Sequence, residues 1–346
     1  MKKIAYIELD THAEIALNFM ELMNDSKVFS VDYYFSEKIL KTLGLQETEN
    51  IKKVTPENLI QQLSTDNYQL IIIGTVHRNF NVFEKIAEKF NTSIICHNLN
   101  FVKASNFNLL ISIFKEDFKY RLKLLLKEGL LRKSYVYKKA KNLLVLDENL
   151  AKENYNNLPI FYTKFFDKPD NETFTIVIPG AVSQKRRNYD KIIKELSIST
   201  SLNVTKFEII FLGKAQGKEL EMLQNFEQNK PENISIKYFT EKVPQNIFND
   251  YMQKANILWC PIQQETEFFS QKEIYGITKM SGNIGDAIKF GKLAIFPENY
   301  PSKYAFIISE KVSLEDALFV KKEIDFSDFN KEKVLKQLEK TIFALL

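Results

Sequence analysis

Glu273-Ile-Tyr-Gly-Ile-Thr-Lys-Met-Ser-Gly-Asn-Ile-Gly-Asp-Ala-Ile-Lys-Phe-Gly-Lys-Leu-Ala-Ile-Phe-Pro297 is the stretch whose reading organises the chain. An acid and a Tyr275-Gly276 turn come first. Lys279 and the run Ser281-Gly282-Asn283-Ile284-Gly285 follow. A helix is expected from Asp286 to Phe290, stopped by Gly291, and then a strand over Leu293–Phe296. A polar, glycine-containing loop entering a helix offers unpaired amide N–H groups at the positive end of the helix dipole. Such a place accepts phosphate. Lys279 adds a full charge, and Glu273 and Asp286 offer acceptors for the hydroxyls of a ligand.

Outward from this stretch the chain alternates short β-rich runs with helical patterns. Ile4–Leu9, Val31–Phe35, Leu70–Gly74, Ser93–Cys96 and Leu143–Leu146 read as strands, being short, apolar and rich in β-branched or aromatic residues. Glu14–Met23 and Val82–Phe90 show helical spacing. The rhythm restarts after Phe161–Thr173, which reads as a linker. Strands are then expected at Phe174–Ile178, Glu208–Leu212, Ile234–Tyr238, Ile257–Cys260 and Leu293–Phe296, with helices at Tyr189–Leu196, Lys218–Asn225 and Ile247–Lys254. Alternation of this kind is the signature of parallel sheets covered on both faces. The expected fold is α/β: two doubly wound, Rossmann-like domains facing a central cleft, at 1–165 and 170–330. Lys331–Leu346 is an amphipathic helix that can pack back on the first domain.

Composition is consistent with this. A chain of 346 residues, 45% hydrophobic and 27% charged, suits two globular domains. A net charge of +4 is slight for this length and gives no argument for a nucleic-acid partner. Cys96 and Cys260 sit in apolar runs and read as buried thiols of a reducing compartment. No secretory signal is evident at the N-terminus, and no apolar run reaches the roughly 18–20 residues of a membrane span. The expected location is therefore cytoplasmic, either free or peripheral at the inner face of a membrane.

Several loops can carry chemistry. Gly180 ends the first strand of the second domain, and Lys185, Arg186 and Arg187 follow before the next helix. Arginine makes forked, charge-assisted bonds to phosphate. Alone, such a triplet is more often a solvated basic turn. The glycine-containing loop at 281–285 downstream favours the phosphate reading. His97, at a strand end, can bind a substrate or move a proton, or be structural. His77 is a second such histidine. Thr11 and Glu14 fit a helix capping box. Beside them, Asp10 and His12 can form an acid-oriented base if they meet. Residues 107–141 interleave leucines and phenylalanines with ten lysines and arginines. That segment is either an ordinary helical face with a basic outside or a surface for an anionic membrane. The sequence holds no Asp-x-Asp, P-loop or Gly-x-Gly-x-x-Gly, and zinc-type Cys/His spacing is absent, so neither a metal nor a redox cofactor is expected.

Taken together, Ile178–Tyr189, Glu273-Ile-Tyr-Gly276 and Asp286–Lys292 resemble the GT-B glycosyltransferases, in particular the retaining Glu-x7-Glu (family 4-like) group. The resemblance spans the chain as architecture and the second half as motif. It implies a hexosyltransferase-type enzyme of polysaccharide biosynthesis, with a nucleotide-diphosphate sugar as donor and a glycan or lipid-linked acceptor. Glu273 would face the sugar and Asp286 the ribose. The loop after Gly180, with Lys185, Arg186 and Arg187, would match the family's basic grip on the diphosphate; on the residues alone, Lys279 and the amides of Ser281, Gly282 and Asn283 join it, and Tyr275 is a further donor-site candidate. His97 would match the histidine of the family's cleft; Asp10 and His12 stay catalytic candidates on the residues alone. At strict Glu-x7-Glu spacing the second acid falls on Ser281, so Asp286 takes the role only if Met280–Gly285 is an insertion. A nucleotide-sugar epimerase of the same fold, and a non-catalytic two-lobed sugar-binding protein, are the alternatives.

Overall fold

The computed structural model describes residues 1–152, 154–165, 173–198, 206–310 and 324–346. Of the linker expected at Phe161–Thr173, residues 166–172 lie outside the described residues. The chain divides into two compact units. The first comprises Met1–Phe161, Glu267–Met280 and Lys331–Leu346, and the second Tyr162–Thr266 and Ser281–Asn330.

The first unit holds a seven-stranded sheet. Its strands are β1 (Lys2–Glu8), β2 (Phe29–Phe35), β3 (Ile51–Lys53), β4 (Leu70–Ile73), β5 (Thr92–Ile95), β6 (Asn142–Val145) and β7 (Asn156–Asn157). The order is β3-β2-β1-β4-β5-β6-β7, parallel at every pairing. The central strands are buried throughout, as the unbroken runs Leu70–Ile73 and Thr92–Ile95 require of strands covered on both faces. Ile71, Ile73, Ile94, Phe80, Phe83 and Phe101 form part of the core. The C-terminal helix Lys331–Leu345 belongs here: Phe343 lies against Phe29 and Glu339 accepts from the Ser26 hydroxyl at 2.7 Å.

The second unit repeats the plan. Its strands are β8 (Phe174–Pro179), β9 (Phe207–Lys214), β10 (Ile234–Phe239) and β11 (Ile257–Trp259). A two-stranded sheet follows, β12 (Glu265–Phe268) and β13 (Gln271–Ile274), in which the chain passes to the first unit; β14 (Leu293–Phe296) and β15 (Ile307–Ser309) then complete the second. The order is β10-β9-β8-β11-β14-β15, again all parallel. Ile176, Ile178, Ile209, Phe211 and Trp259 build its core. In both sheets the first strand is central and the winding reverses beside it, between β1 and β4 and between β8 and β11. Doubly wound sheets bind ligands at the carboxyl ends of their strands at that reversal.

The structure differs from the sequence reading at the opening stretch. Glu273–Met280 belongs with the first unit and Ser281–Phe296 with the second. Phe269 and Ser270, at the tip between β12 and β13, have φ of 51° and 54°. Two such residues in succession make the tight turn that fits hairpin twist. The helix after it begins at Gly282, four residues earlier than expected, because the Ser281 hydroxyl accepts from the Asn283 amide and caps it. Gly291, at φ 58°, ends it. The Thr11–Glu14 capping box is not formed. His12 is the capping residue, left-handed at φ 58° with no side-chain cap, and Glu14 faces its ring. No helix among the described residues is long and apolar enough to cross a membrane.

Candidate functional site

In the first unit, the loops after β1, β4 and β5 bring together all three histidines of the chain. His12 stacks on His97 with ring centroids 3.8 Å apart and 12° between planes; His77 stands edge-on, 6.1 Å from His12 and 6.0 Å from His97. They border the reversal between β1 and β4. His97 Nε2 donates to the Gly74 carbonyl at 2.8 Å. A carbonyl only accepts, so Nε2 carries the proton and Nδ1 of the neutral ring is an acceptor. Burial, with the His12 charge second, holds His97 well below the usual histidine range. His77 is held down likewise by burial.

Lys279 settles the next contact. Its ammonium can only donate, and it lies 2.6 Å from Asn98 Oδ1. Asn98 Nδ2 is thereby turned to His77 Nε2 at 3.4 Å, leaving His77 with its proton on Nδ1. Phe268 closes the side, 4.4 Å from His77 in ring centroids.

Beneath this group lies Glu8, the last residue of β1 and buried. Its carboxylate accepts from the Thr75 hydroxyl at 2.7 Å and from the amides of Asp10 and Thr11 at 3.1 and 3.3 Å. Burial outweighs these bonds and raises its carboxyl to about 7. Gly74 is tied to it by space, since a Cβ there would stand 2.6 Å from Glu8 Oε2. Neither Glu8 nor Thr75 is singled out by the sequence reading. The available signal is an acid ending an otherwise apolar strand at its carboxyl edge.

Two expectations for this unit are corrected. Asp10 does not orient His12. Its carboxylate takes Lys38 Nζ at 3.3 Å and lies 3.6 Å from Arg78 Nη1, while His12 Nδ1 faces Glu14 Oε1 at 3.3 Å. Glu273 is not poised toward a ligand. It is 0% exposed, and its two oxygens accept from the Phe101 amide at 2.8 Å and the Asn100 amide at 3.2 Å. It therefore satisfies first-turn N–H groups of helix Leu99–Lys103 from outside that helix. Tyr275 and Lys279 belong to the same first-unit loop, where the Gly276 amide donates to the Lys279 carbonyl at 2.8 Å.

In the second unit, Gly180, Arg187, Asn283 and Asp286 do come together. Gly180 follows β8 with φ 102°, and a Cβ there would meet Arg187 Nη2 at 2.3 Å. The missing side chain is the space the guanidinium occupies. Arg187 Nη1 donates to the Ala181 carbonyl at 3.3 Å and Nη2 to Asn283 Oδ1 at 3.5 Å. Its Nε is buried with no hydrogen-bond partner among the described residues. Asn283 Nδ2 in turn donates to Asp286 Oδ2 at 3.2 Å. Ser281 and Asn283 are buried, whereas Gly282 is exposed with nothing near the place of a Cβ. A half-satisfied guanidinium thus stands against the first turn of a helix, where amide donors and the dipole favour an anion. Lys185 and Arg186 are exposed beside it. Among the described residues no group of three or more His, Cys, Asp or Glu side chains is arranged to hold a metal ion.

No protein-family model matches the sequence, and no curated protein matches it at the sequence level. Solved structures match along the whole chain. The apo lipopolysaccharide outer core galactosyltransferase WaaB aligns with TM-score 0.56 and 10% identity over 99% of this chain and 100% of that one. The pneumococcal O-GlcNAc transferase GtfA in complex with UDP and GlcNAc gives 0.56 and 10% over 99% of each. The UDP-GlcNAc 2-epimerase from Methanocaldococcus jannaschii gives 0.55 and 9% over 99% of each. At these identities the likeness is one of fold, and the fold is that of GT-B proteins: two parallel-sheet, Rossmann-like α/β domains.

Proposed function

We propose that this chain is a GT-B glycosyltransferase that moves a sugar from a nucleotide diphosphate to a hydroxyl of a glycan or lipid-linked acceptor. The observation that carries the reading is Arg187, seated over Gly180 with a buried, unpartnered Nε and an Nη2 bond to Asn283 in the first turn of helix Gly282–Phe290. Fixed donors of this kind stabilise charge that develops on a leaving diphosphate. Lys185 and Arg186 add to it, and Asp286 is assigned to the ribose. No metal is needed in this reading.

In the transfer, the bond from the anomeric carbon to the diphosphate oxygen breaks and its electron pair leaves with the nucleotide. The acceptor oxygen bonds to that carbon, and its proton passes to a base. We assign that base to the first-unit histidines, with His97 Nδ1 the available lone pair. The reading carries with it the cytoplasmic setting suggested by the sequence.

Calorimetry with nucleoside diphosphates and their sugars tests the proposal. Binding that falls in Arg187→Ala is expected; no affinity for any of them would end it. A 2-epimerase-type reaction is the second reading, favoured by the equally good superposition on such an enzyme. It would consume donor with no acceptor present. A sugar-binding protein would bind free sugar, with the nucleotide adding nothing.

A further inference from the structure

Helices Asn106–Ile113 and Phe118–Lys127 of the first unit turn an apolar face outward. Phe107, Leu110, Ile111 and Phe114 recur at i, i+3, i+4 and i+7, which is one stripe of a helix. In a surface helix that stripe faces the core. Here the core side is taken by Leu109, Ser112 and Ile113, and the stripe is exposed: Phe107 by 70% and Phe114 by 79%. The ring of Phe114 meets that of Phe118 at 5.9 Å, carrying the apolar surface onto the second helix, where Leu126 is 73% exposed. Most of the exposed large hydrophobic side chains of the described residues lie between Phe107 and Tyr135, so this is a patch and not scatter.

A row of cations runs with it. Lys115, Lys119, Lys123 and Lys127 are spaced four apart and all exposed. The acids nearby answer few of them. Glu128 is buried and held by Arg78 at 2.7 Å, with Lys123 farther off at 3.8 Å; Glu116 lies 3.7 Å from the buried Arg121. Apolar side chains bordered by lysines match the two layers of an anionic bilayer surface, acyl chains below and phosphates above. A second copy of the chain would bring the lysine rows together, like against like.

We infer that the 106–127 helices dock this protein on an anionic lipid bilayer. Phe107, Phe114 and Leu126 enter the acyl boundary, and the lysine row binds lipid phosphate. Next to the docking helices is a recess of about 310 Å³, lined by Tyr120 and Arg121 on one side and His77, Asp10 and Phe268 on the other. If the transferase reading holds, on which this last step rests, the recess leads from the bilayer to His77, whose ring lies 6.0 Å from that of His97, and the acceptor is lipid-linked.

Vesicle co-sedimentation of the full chain tests the inference. Vesicles of phosphatidylcholine mixed with phosphatidylglycerol are compared with phosphatidylcholine alone. Binding is expected to the mixed vesicles only and to weaken with salt. It should fall at least about tenfold in Lys119→Glu/Lys123→Glu, and likewise in Phe107→Ser/Phe114→Ser. All four positions are exposed, and thermal melts check that each variant is folded. Equal binding to both vesicles, no binding to either, or binding unchanged in the folded variants overturns the inference. So does a wild-type dimer that Phe107→Ser/Phe114→Ser turns into monomer while vesicles capture neither. Nucleotide binding is measured separately by calorimetry, so loss of one reading leaves the other standing.

Discussion

The imidazole of His12 lies flat on that of His97, with centroids 3.8 Å apart, although 85 positions separate them in the chain. The parallel order β1-β4-β5 places their loops side by side at one edge of the sheet. If His97 Nδ1 accepts the proton of the acceptor hydroxyl, His97→Ala should slow transfer by about 10²- to 10⁴-fold, the usual worth of a general base. Nucleotide affinity should be unchanged, since the donor is assigned to the other unit. Steady-state kinetics with calorimetry separates the two. Transfer at wild-type rate would remove His97 from the chemistry.

Arg187→Ala should weaken nucleoside diphosphate binding about ten- to a hundredfold, the loss of one or two charge-assisted bonds. Arg187→Lys should restore little of it, because an ammonium cannot make the forked contact. Full rescue by lysine would show that charge alone matters there.

Gly180→Ala combines strain at φ 102° with a Cβ 2.3 Å from Arg187 Nη2. The guanidinium is the movable partner, so it should be pushed off Asn283. The expected result is lower melting temperature together with lower nucleotide affinity. An unaltered affinity would mean that Arg187 acts from another position.

Glu273→Ala should cost roughly 1–3 kcal/mol of stability, because the buried Phe101 amide and the half-buried Asn100 amide of helix Leu99–Lys103 lose their acceptor. Glu273→Gln, which keeps an acceptor oxygen, should cost less. Urea unfolding of both variants gives the comparison, with calorimetry on the folded protein alongside. A strong loss of sugar-nucleotide affinity without loss of stability would return Glu273 to the ligand.

Glu8 makes stability depend on pH. Its carboxyl is raised from 4.5 to about 7, so the folded chain holds that proton more tightly than the unfolded one. The contribution is complete below pH 4.5 and is lost as pH rises through about 7; the shift corresponds to roughly 3 kcal/mol. His77 and His97, held down by burial, act in the other direction: their part is present above the ordinary histidine range and is lost on acidification. Glu8→Gln isolates the first term. Relative to wild type it should gain in stability from about pH 5 to about pH 8. A constant difference between the two proteins across that range would contradict the assignment.

Much of the architecture is legible in the residues themselves. Every strand expected between Ile4 and Phe296 is present to within a few residues, because a strand covered on both faces must be a short apolar run. The short edge strands Ile51–Lys53, Asn156–Asn157 and Ile307–Ser309 are missed, as is the Glu265–Ile274 hairpin. Edge strands need little apolar surface, and the residues at the hairpin tip, Phe269 and Ser270, include neither the Gly nor the Asn that marks a turn of two positive-φ residues.

The site divides the same way. The basic turn at Arg187 and the helix that Gly291 ends are local features, written in neighbouring residues, and the sequence determined them; the cap at Ser281, which starts that helix four residues early, was not read from it. Whether Glu273 meets a ligand or a helix terminus was decided by burial, which depends on what the rest of the chain packs around it. The tertiary structure also split Glu273–Pro297 between two units and drew His12, His77 and His97 into one group. Sheet order sets which loops share an edge, and sheet order comes from pairings between residues far apart in the chain.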